Sequence, residues 1–343
     1  MKALWKESAG RGLVLKETPI PQINDDEALV KVNVASICGT DLHIYIWNDW
    51  AKGRIKPPII SGHEFAGTVV EVGKSVKRIK KGDFVSAETH ISCGHCFQCL
   101  IGHPEICENL KILGVDINGA FAEYVAIPEK VLWVNPPTIK EDFASIQEPL
   151  GNAVDTVLAE DVSGKTVLIT GAGPIGLLGV GVARVFGATK IIVSDLSDYH
   201  LDIARKMGAD IVVNAKSTDI KQVVLDETNG HGVDVGLEFS GSEIAFRDLL
   251  KSVRAGGRVS LLGLFNNSSV SVNLNDDVIF KKIRIYGITG RRIFETWNIV
   301  SNLLSSGRLD VAPVITHKFP LEEFDKGMEL MEHQMSGKVL LIP

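Results

Sequence analysis

The 343-residue sequence is poor in three things, and each shortage excludes something. Cysteine occurs five times, at Cys38, Cys93, Cys96, Cys99 and Cys107, and not beyond. Whatever chemistry thiols support therefore belongs to the N-terminal part. Basic residues are outnumbered, 36 Lys and Arg against 42 Asp and Glu, for a formal charge of −6. That balance argues against nucleic acid as the main partner. Long charge-free hydrophobic runs are almost absent. The one stretch that invites comparison with a membrane span, residues 167–183, is marginally short for one and holds five glycines and Pro174. The first residues, MKALWKESAGRGLVLKE, carry Lys2, Lys6 and Glu7 and no apolar core. No secretory signal is expected, and the expected compartment is the cytoplasm. Thiols stay reduced there, and clustered cysteines point to metal.

What remains is an ordinary globular composition, 45% hydrophobic and 23% charged, at a length that suggests two domains. It is organised around residues 166–195, TVLITGAGPIGLLGVGVARVFGATKIIVSD. Thr166 to Thr170 reads as a buried strand and Lys190 to Asp195 as a second, with a helix-length segment between. Gly171, Gly173 and Gly176 fit G-x-G-x-x-G. The first permits the tight turn, the second lets a pyrophosphate approach the backbone, and the third allows close helix–strand packing. A helix beginning near Pro174 aims unpaired N–H groups at that pyrophosphate. A glycine turn without a ligand is the plain alternative. Asp195 accepts hydrogen bonds from an unmodified ribose and repels a 2′-phosphate, so NAD is expected over NADP.

Further strands are expected at 211–213, 233–239, 258–264 and 283–288, completing a doubly wound parallel sheet. Ligands bind beyond the carboxyl ends of such strands. Ile175, Leu262, Gly263, Leu264, Ile288 and Thr289 are therefore expected to line the coenzyme. Arg291 and Arg292 follow the last strand and face the same crevice beyond the strand ends; if the substrate is an amino acid, one guanidinium, Arg291 foremost, is the candidate to bind its carboxylate.

The first part of the chain reads as β-rich, with the alternating 28–34 as the clearest strand. Cys93, Cys96, Cys99 and Cys107 follow C-x2-C-x2-C-x7-C. Four thiols on one compact loop can close a tetrahedral site at about 2.3 Å per Zn–S bond, which makes structural zinc the expectation. An iron–sulfur cluster is the rival, but ferredoxin runs have a shorter last gap followed by proline, and here Glu108 follows Cys107. His95 and His103 are read as surface residues. Cys38, His63 and Glu64 offer a thiolate, an imidazole and a carboxylate, the donor set of catalytic zinc with one position open. Singly, Cys38 is as well explained as a small buried hydrophobe and His63 as a structural histidine.

Cys38, the string GHEFAGTVVEVGKSV, the four-cysteine loop and GAGPIG occur in this order. Over essentially its whole length the chain resembles the zinc-dependent medium-chain alcohol dehydrogenases. CGTDLHIYIWNDW, EPLGNAVDT, FETW and SGKVLL resemble more narrowly the branch that oxidises the 3-hydroxyl of L-threonine. The resemblance implies an α/β chain with a GroES-like β-barrel catalytic domain, residues 1–152 completed by 291–343, and a Rossmann coenzyme domain, 153–290. It implies a catalytic zinc on Cys38, His63 and Glu64 besides the structural zinc, a proton relay through Thr40 and His43, and Glu148 near the metal without permanent ligation. Family members tend to carry arginine or lysine at position 200, so His200 is either a coenzyme contact or a solvated helix residue. A homotetramer built partly through residues 265–274 is implied as well. The rivals are polyol or 2,3-butanediol oxidation with the same metal and coenzyme, and a non-catalytic NAD-binding scaffold. The intact Cys38, Thr40, His43 and His63 set argues against the scaffold.

Overall fold

The computed structural model describes residues 1–265 and 269–343. The chain divides into one unit of Met1–Glu148, Arg292–Ser305 and Ile315–Pro343 and another of Pro149–Arg291 and Ser306–Val314. Ser306–Val314, expected with the first domain, joins the second unit because its apolar side chains are buried there. Leu309 fills the space beside Gly181, where a Cβ would come within 2.7 Å of its Cδ1, and Val311 and Val314 are fully buried.

The first unit is built on the strand Glu27–Ile37. Val30, Val32 and Val34 face the core, while Lys31 is exposed and Asn33 half-buried between them. This strand pairs antiparallel with Glu64–Val72, Tyr124–Pro128 and Lys338–Ile342 within a seven-stranded sheet. The final strand thus returns to the first unit, as the resemblance implies, with Val339 opposite Ile37 and Leu341 opposite Ala35. Ile37, Phe65, Val85, Phe121, Ile127 and Leu341 belong to one apolar cluster, each such side chain contributing about 1.5–3 kcal/mol on full burial. Two short helices, Gly39–Ile46 and Asp49–Arg54, interrupt the stretch read as β-rich.

In the second unit six parallel strands run in the order Ile211–Asn214, Lys190–Asp195, Thr166–Thr170, Val233–Glu238, Val253–Leu261, Arg284–Gly287. This is the doubly wound order 3-2-1-4-5-6. The fifth strand ends three residues earlier than expected from sequence, because the amides of Leu262 and Gly263 turn to the carbonyl of Glu238. Residues 265–274 form no strand among those described; positions 266–268 of that expected edge lie outside the described residues. No helix among the described residues is long and apolar enough to cross a membrane.

Candidate metal centres and coenzyme turn

Cys93, Cys96, Cys99 and Cys107 converge, their sulfur atoms all within 4.8 Å of one another. Cys96 Sγ lies 3.5 Å from Cys99 Sγ and 3.7 Å from Cys107 Sγ. A ZnS4 tetrahedron with bonds of about 2.3 Å has edges of about 3.8 Å, so the four thiols fit the ion, and no sulfur pair is at disulfide distance. Backbone amides already point at the sulfurs, Cys93 and Asn109 at Cys107 Sγ (3.2 and 3.3 Å) and Cys96 at Cys93 Sγ (3.4 Å). Such N–H···S bonds favour thiolate, the form a metal needs. His95 and His103 are exposed, as expected.

The second donor set forms where Glu27–Ile37 ends and Glu64–Val72 begins. Ser36 and Glu64 are register partners, which sets Cys38 beside His63; the ligand atoms of Cys38, His63 and Glu64 all lie within 4.8 Å of one another. A thiolate, an imidazole and a carboxylate suit zinc. Asp41, which sequence reading did not single out, organises the group. Its carboxylate is fully buried, accepts from the amides of Cys38 (2.9 Å) and Gly62 (3.2 Å), and stands 3.6 Å from His63 Nδ1. A carboxylate behind a metal-binding histidine orients the ring and raises its basicity. Gly62 has φ +90°, and a Cβ there would lie 2.3 Å from Phe121, so only glycine brings His63 round this corner.

Lys338 was also missed, although SGKVLL contains it. Its Nζ is buried and donates to both Glu64 oxygens, at 2.6 and 2.5 Å, and to the carbonyl of Ile37 at 3.3 Å. Ser36 Oγ donates to Glu64 as well. Burial lowers the Lys338 pKa, but Glu64, Cys38 and Glu148 together outweigh it and hold the value up. Thr40 Oγ1 lies 4.0 Å from Cys38 Sγ. Three positions further along the same helix face, His43 is exposed, its Nδ1 2.9 Å from Asn48 Nδ2. Glu148 is buried and accepts from Thr89 Oγ1 at 3.4 Å, and its charge acts on both Glu64 and Lys338. Trp297 of FETW is structural here: fully buried, it donates to Glu88 at 2.8 Å.

In the second unit Gly171 makes its turn with φ +89°, and Gly173 caps the helix Pro174–Val185. Asp195 closes the neighbouring strand, its carboxylate accepting from Ala172 N (2.6 Å) and Ser197 N (2.8 Å). Burial would raise its pKa; His200, 3.6 Å away, and these amides hold it below the ordinary carboxylate value. His200 is buried beside Asp195, so the solvated reading does not hold. Ile175 is half-buried at the turn, and Leu262, Gly263 and Leu264 follow the fifth strand and Ile288 and Thr289 the sixth, at the carboxyl end of the sheet. Arg291 is 1% exposed with Nη1 on Asn152 Oδ1 at 3.1 Å, and Arg292 pairs with Glu295 at 2.8 Å.

Two families match the sequence: alcohol dehydrogenase GroES-like domain over residues 24–137 and zinc-binding dehydrogenase over residues 174–306. The L-threonine 3-dehydrogenase of Pyrococcus horikoshii is 51% identical over 343 residues, covering 100% of this chain and 98% of the relative. Among solved structures, the alcohol dehydrogenase TADH from Thermus sp. ATN1 superposes with a TM-score of 0.91 at 32% identity, over 100% of this chain and 99% of that one. The alcohol dehydrogenase rspB from E. coli CFT073, solved with NADH, gives 0.91 at 30% identity, with coverages of 100% and 99%.

Proposed function

The chain belongs to the zinc-binding, GroES-like alcohol dehydrogenase family, and from that membership we propose that it oxidises the 3-hydroxyl of L-threonine to L-2-amino-3-ketobutyrate with NAD. The observation that carries the reading is end-to-end identity of 51% to an L-threonine 3-dehydrogenase. In this reading two zinc ions bind each subunit, a structural one on Cys93, Cys96, Cys99 and Cys107 and a catalytic one on Cys38, His63 and Glu64. NAD is chosen over NADP because Asp195 keeps a half-buried negative charge at the end of its strand.

When bound, zinc supplies a Lewis acid that lowers the pKa of a hydroxyl, and NAD supplies the hydride acceptor. The protein's part is to hold these groups and to move a proton. Overall, the C3–H bond breaks with its electron pair leaving as hydride, the O–H bond breaks with its proton leaving, and a carbonyl forms. Thr40 takes that proton while giving up its own, since a hydroxyl both donates and accepts. His43 delivers it to water, being the side chain that titrates near neutrality. Glu148 tunes the charge beside Glu64. The reading includes a cytoplasmic homotetramer that serves threonine catabolism. Leu274, Ile279, Phe280 and Ile285, near the edge strand Arg284–Gly287, are exposed in the single chain and suit burial between copies.

Initial rates of NADH formation with L-threonine, sorbitol, 2,3-butanediol and ethanol test the proposal. The highest kcat/KM is expected with L-threonine. A higher value with either polyol would transfer the chain to that branch, and no turnover with any of them would leave the scaffold.

A further inference from the structure

His43 and Asn48 are joined by the 2.9 Å contact between Nδ1 and Nδ2. An amide can present either its oxygen or its nitrogen, and the choice normally has to come from its other partners. Here those partners decide it. Asn48 is the N-cap of Asp49–Arg54, and its Oδ1 accepts from the amide of Ala51 at 3.0 Å. With the oxygen committed to the cap, the NH2 group faces His43. Nδ1 must then be an acceptor, and in the neutral ring the proton sits on Nε2.

The backbone holds the two residues together. Trp47 ends the helix Gly39–Ile46 in the left-handed region, at φ 59°, and the amide of Asn48 donates to the carbonyl of His43 at 3.3 Å. A non-glycine residue at positive φ is uncommon. Here it folds the chain back so that the cap of one helix meets one edge of the ring carried by the other. The ring also leans on Trp50, centroids 6.3 Å apart.

We propose that Asn48 is a positioning residue for His43, fixing the imidazole in the Nε2–H tautomer and so deciding which nitrogen can take up a relayed proton. The inference rests on the reading of His43 as the relay. Nδ1 is the one basic nitrogen of that tautomer, and the Asn48 amide occupies it. Proton uptake at Nδ1 requires that hydrogen bond to open. The imidazolium then gives that Nδ1 proton to water, the Asn48 amide returns to Nδ1, and the ring is again the Nε2–H tautomer.

Charges on the surrounding elements have other partners. On its own helix Asp41 is bonded to the amides of Cys38 and Gly62. On Asp49–Arg54, Asp49 pairs with Lys52 at 2.8 Å and Arg54 with Asp116 at 2.5 Å. On Phe324–Glu332, which packs against the His43 helix, Asp325 accepts from Tyr45, Glu332 from Arg11, and Lys326 pairs with Glu323. None is hydrogen-bonded or ion-paired to His43 among the described residues. Although the side chain is exposed, its neighbours take part of the water from the ring, which lowers the His43 pKa below the ordinary histidine value, the direction in which a donor facing Nδ1 also acts.

Asn48→Asp is the decisive variant. Aspartate is as good an N-cap as asparagine, so the helix keeps its start and Tm should stay within a few degrees. Toward His43, however, it replaces a donor by an anionic acceptor that favours Nδ1–H and the imidazolium. An opposite charge at this distance typically raises a pKa by about 1–3 units. Short pulses of diethyl pyrocarbonate on the zinc-loaded full chain across pH, followed by peptide mass mapping, read the neutral fraction of His43 directly. The midpoint should lie below about 6.5 in the wild type and at least about one pH unit higher in Asn48→Asp, with Asn48→Ala between them. The acid limb of kcat should move with it. If the modification midpoint stays put in Asn48→Asp, the assignment falls whatever kcat does. If it moves while the kcat profile does not, the Asn48 assignment stands and His43 is no relay.

Discussion

Replacing the second and third glycines of the coenzyme turn by alanine, one at a time, separates binding from folding. At Gly173 the backbone has φ −63°, which alanine adopts freely, and no atom lies within 4 Å of the Cβ that would be added. The expected stability cost is only that of alanine at a helix N-cap, about 0.5–1 kcal/mol. That empty space is where the second glycine of the motif admits a pyrophosphate. A methyl group there should cost about 1–3 kcal/mol of binding, the range for overpacking, or a 5- to 150-fold weaker Kd at about 1.4 kcal/mol per decade. At Gly176 the Cβ would lie 2.0 Å from the carbonyl oxygen of Gly171, which is backbone and cannot swing away. With contacts normally at about 3.5 Å, the helix start must withdraw by roughly 1 Å or more, so the protein itself should lose about 1–3 kcal/mol. NADH fluorescence titration gives Kd and scanning calorimetry gives Tm. The reasoning is refuted if Gly173→Ala binds NADH as tightly as the wild type, or if Gly176→Ala melts where the wild type does.

Cys107→Ser should release the loop metal and lower Tm, whereas Cys38→Ser should leave the fold intact and abolish turnover; metal analysis showing iron, or one metal per active chain, contradicts both. Asp195→Ala should weaken NAD binding and narrow its advantage over NADP; it should also lower Tm, because Ala172 N and Ser197 N lose a charged acceptor worth about 1.5–3 kcal/mol per bond. Glu160 is held at a pKa of about 2 by hydrogen bonds from Arg284 and Tyr286. Because its folded value is depressed from 4.5, its contribution is fully present above that pH and is lost as pH falls toward 2. With its side chain 27% and that of Arg284 49% exposed, solvent screening limits the contribution to about 1 kcal/mol or less. Urea unfolding of Glu160→Gln should show that loss at pH 7, shrinking as pH falls from about 4.5 toward 2.

The coenzyme unit was legible because parallel strands covered on both faces leave continuous apolar runs. Residues 166–170 and 190–195 were readable to their ends, and the glycine spacing located the turn between them. The short helices Gly39–Ile46 and Asp49–Arg54 were not legible. One is ended by a left-handed tryptophan and the other spans only six residues, too short for a helical period to stand out. Ligand candidates could be named from residue type, since cysteine spacing is a local signal. Their supports could not: Asp41 meets Gly62 across 21 positions of sequence, and Lys338 meets Glu64 across 274. His200 was ambiguous although its partner Asp195 is only five residues away, because sequence does not show whether packing covers the ring.

Lys338 gives the return of the C-terminal strand a chemical purpose. Cys38, Glu64 and Glu148 each exert a stabilising pull on its ammonium, so one buried cation stands among three acidic groups. Pairing of Lys338–Ile342 with Glu27–Ile37 places this cation where Ile37 leads into Cys38. Two charges buried this deeply are costly unless paired, and removing one partner of such a pair typically costs about 3–5 kcal/mol. Counting Cys38 as thiolate, His63 as neutral and Asp41, Glu64 and Glu148 as ionised, the cluster carries −4 from its acids and +1 from Lys338. A divalent ion would leave −1, which matches Asp41, whose carboxylate already accepts from the amides of Cys38 and Gly62. The lysine would therefore not compete with a metal held by Cys38, His63 and Glu64; it offsets carboxylate charge beside them, from a strand paired with Glu27–Ile37.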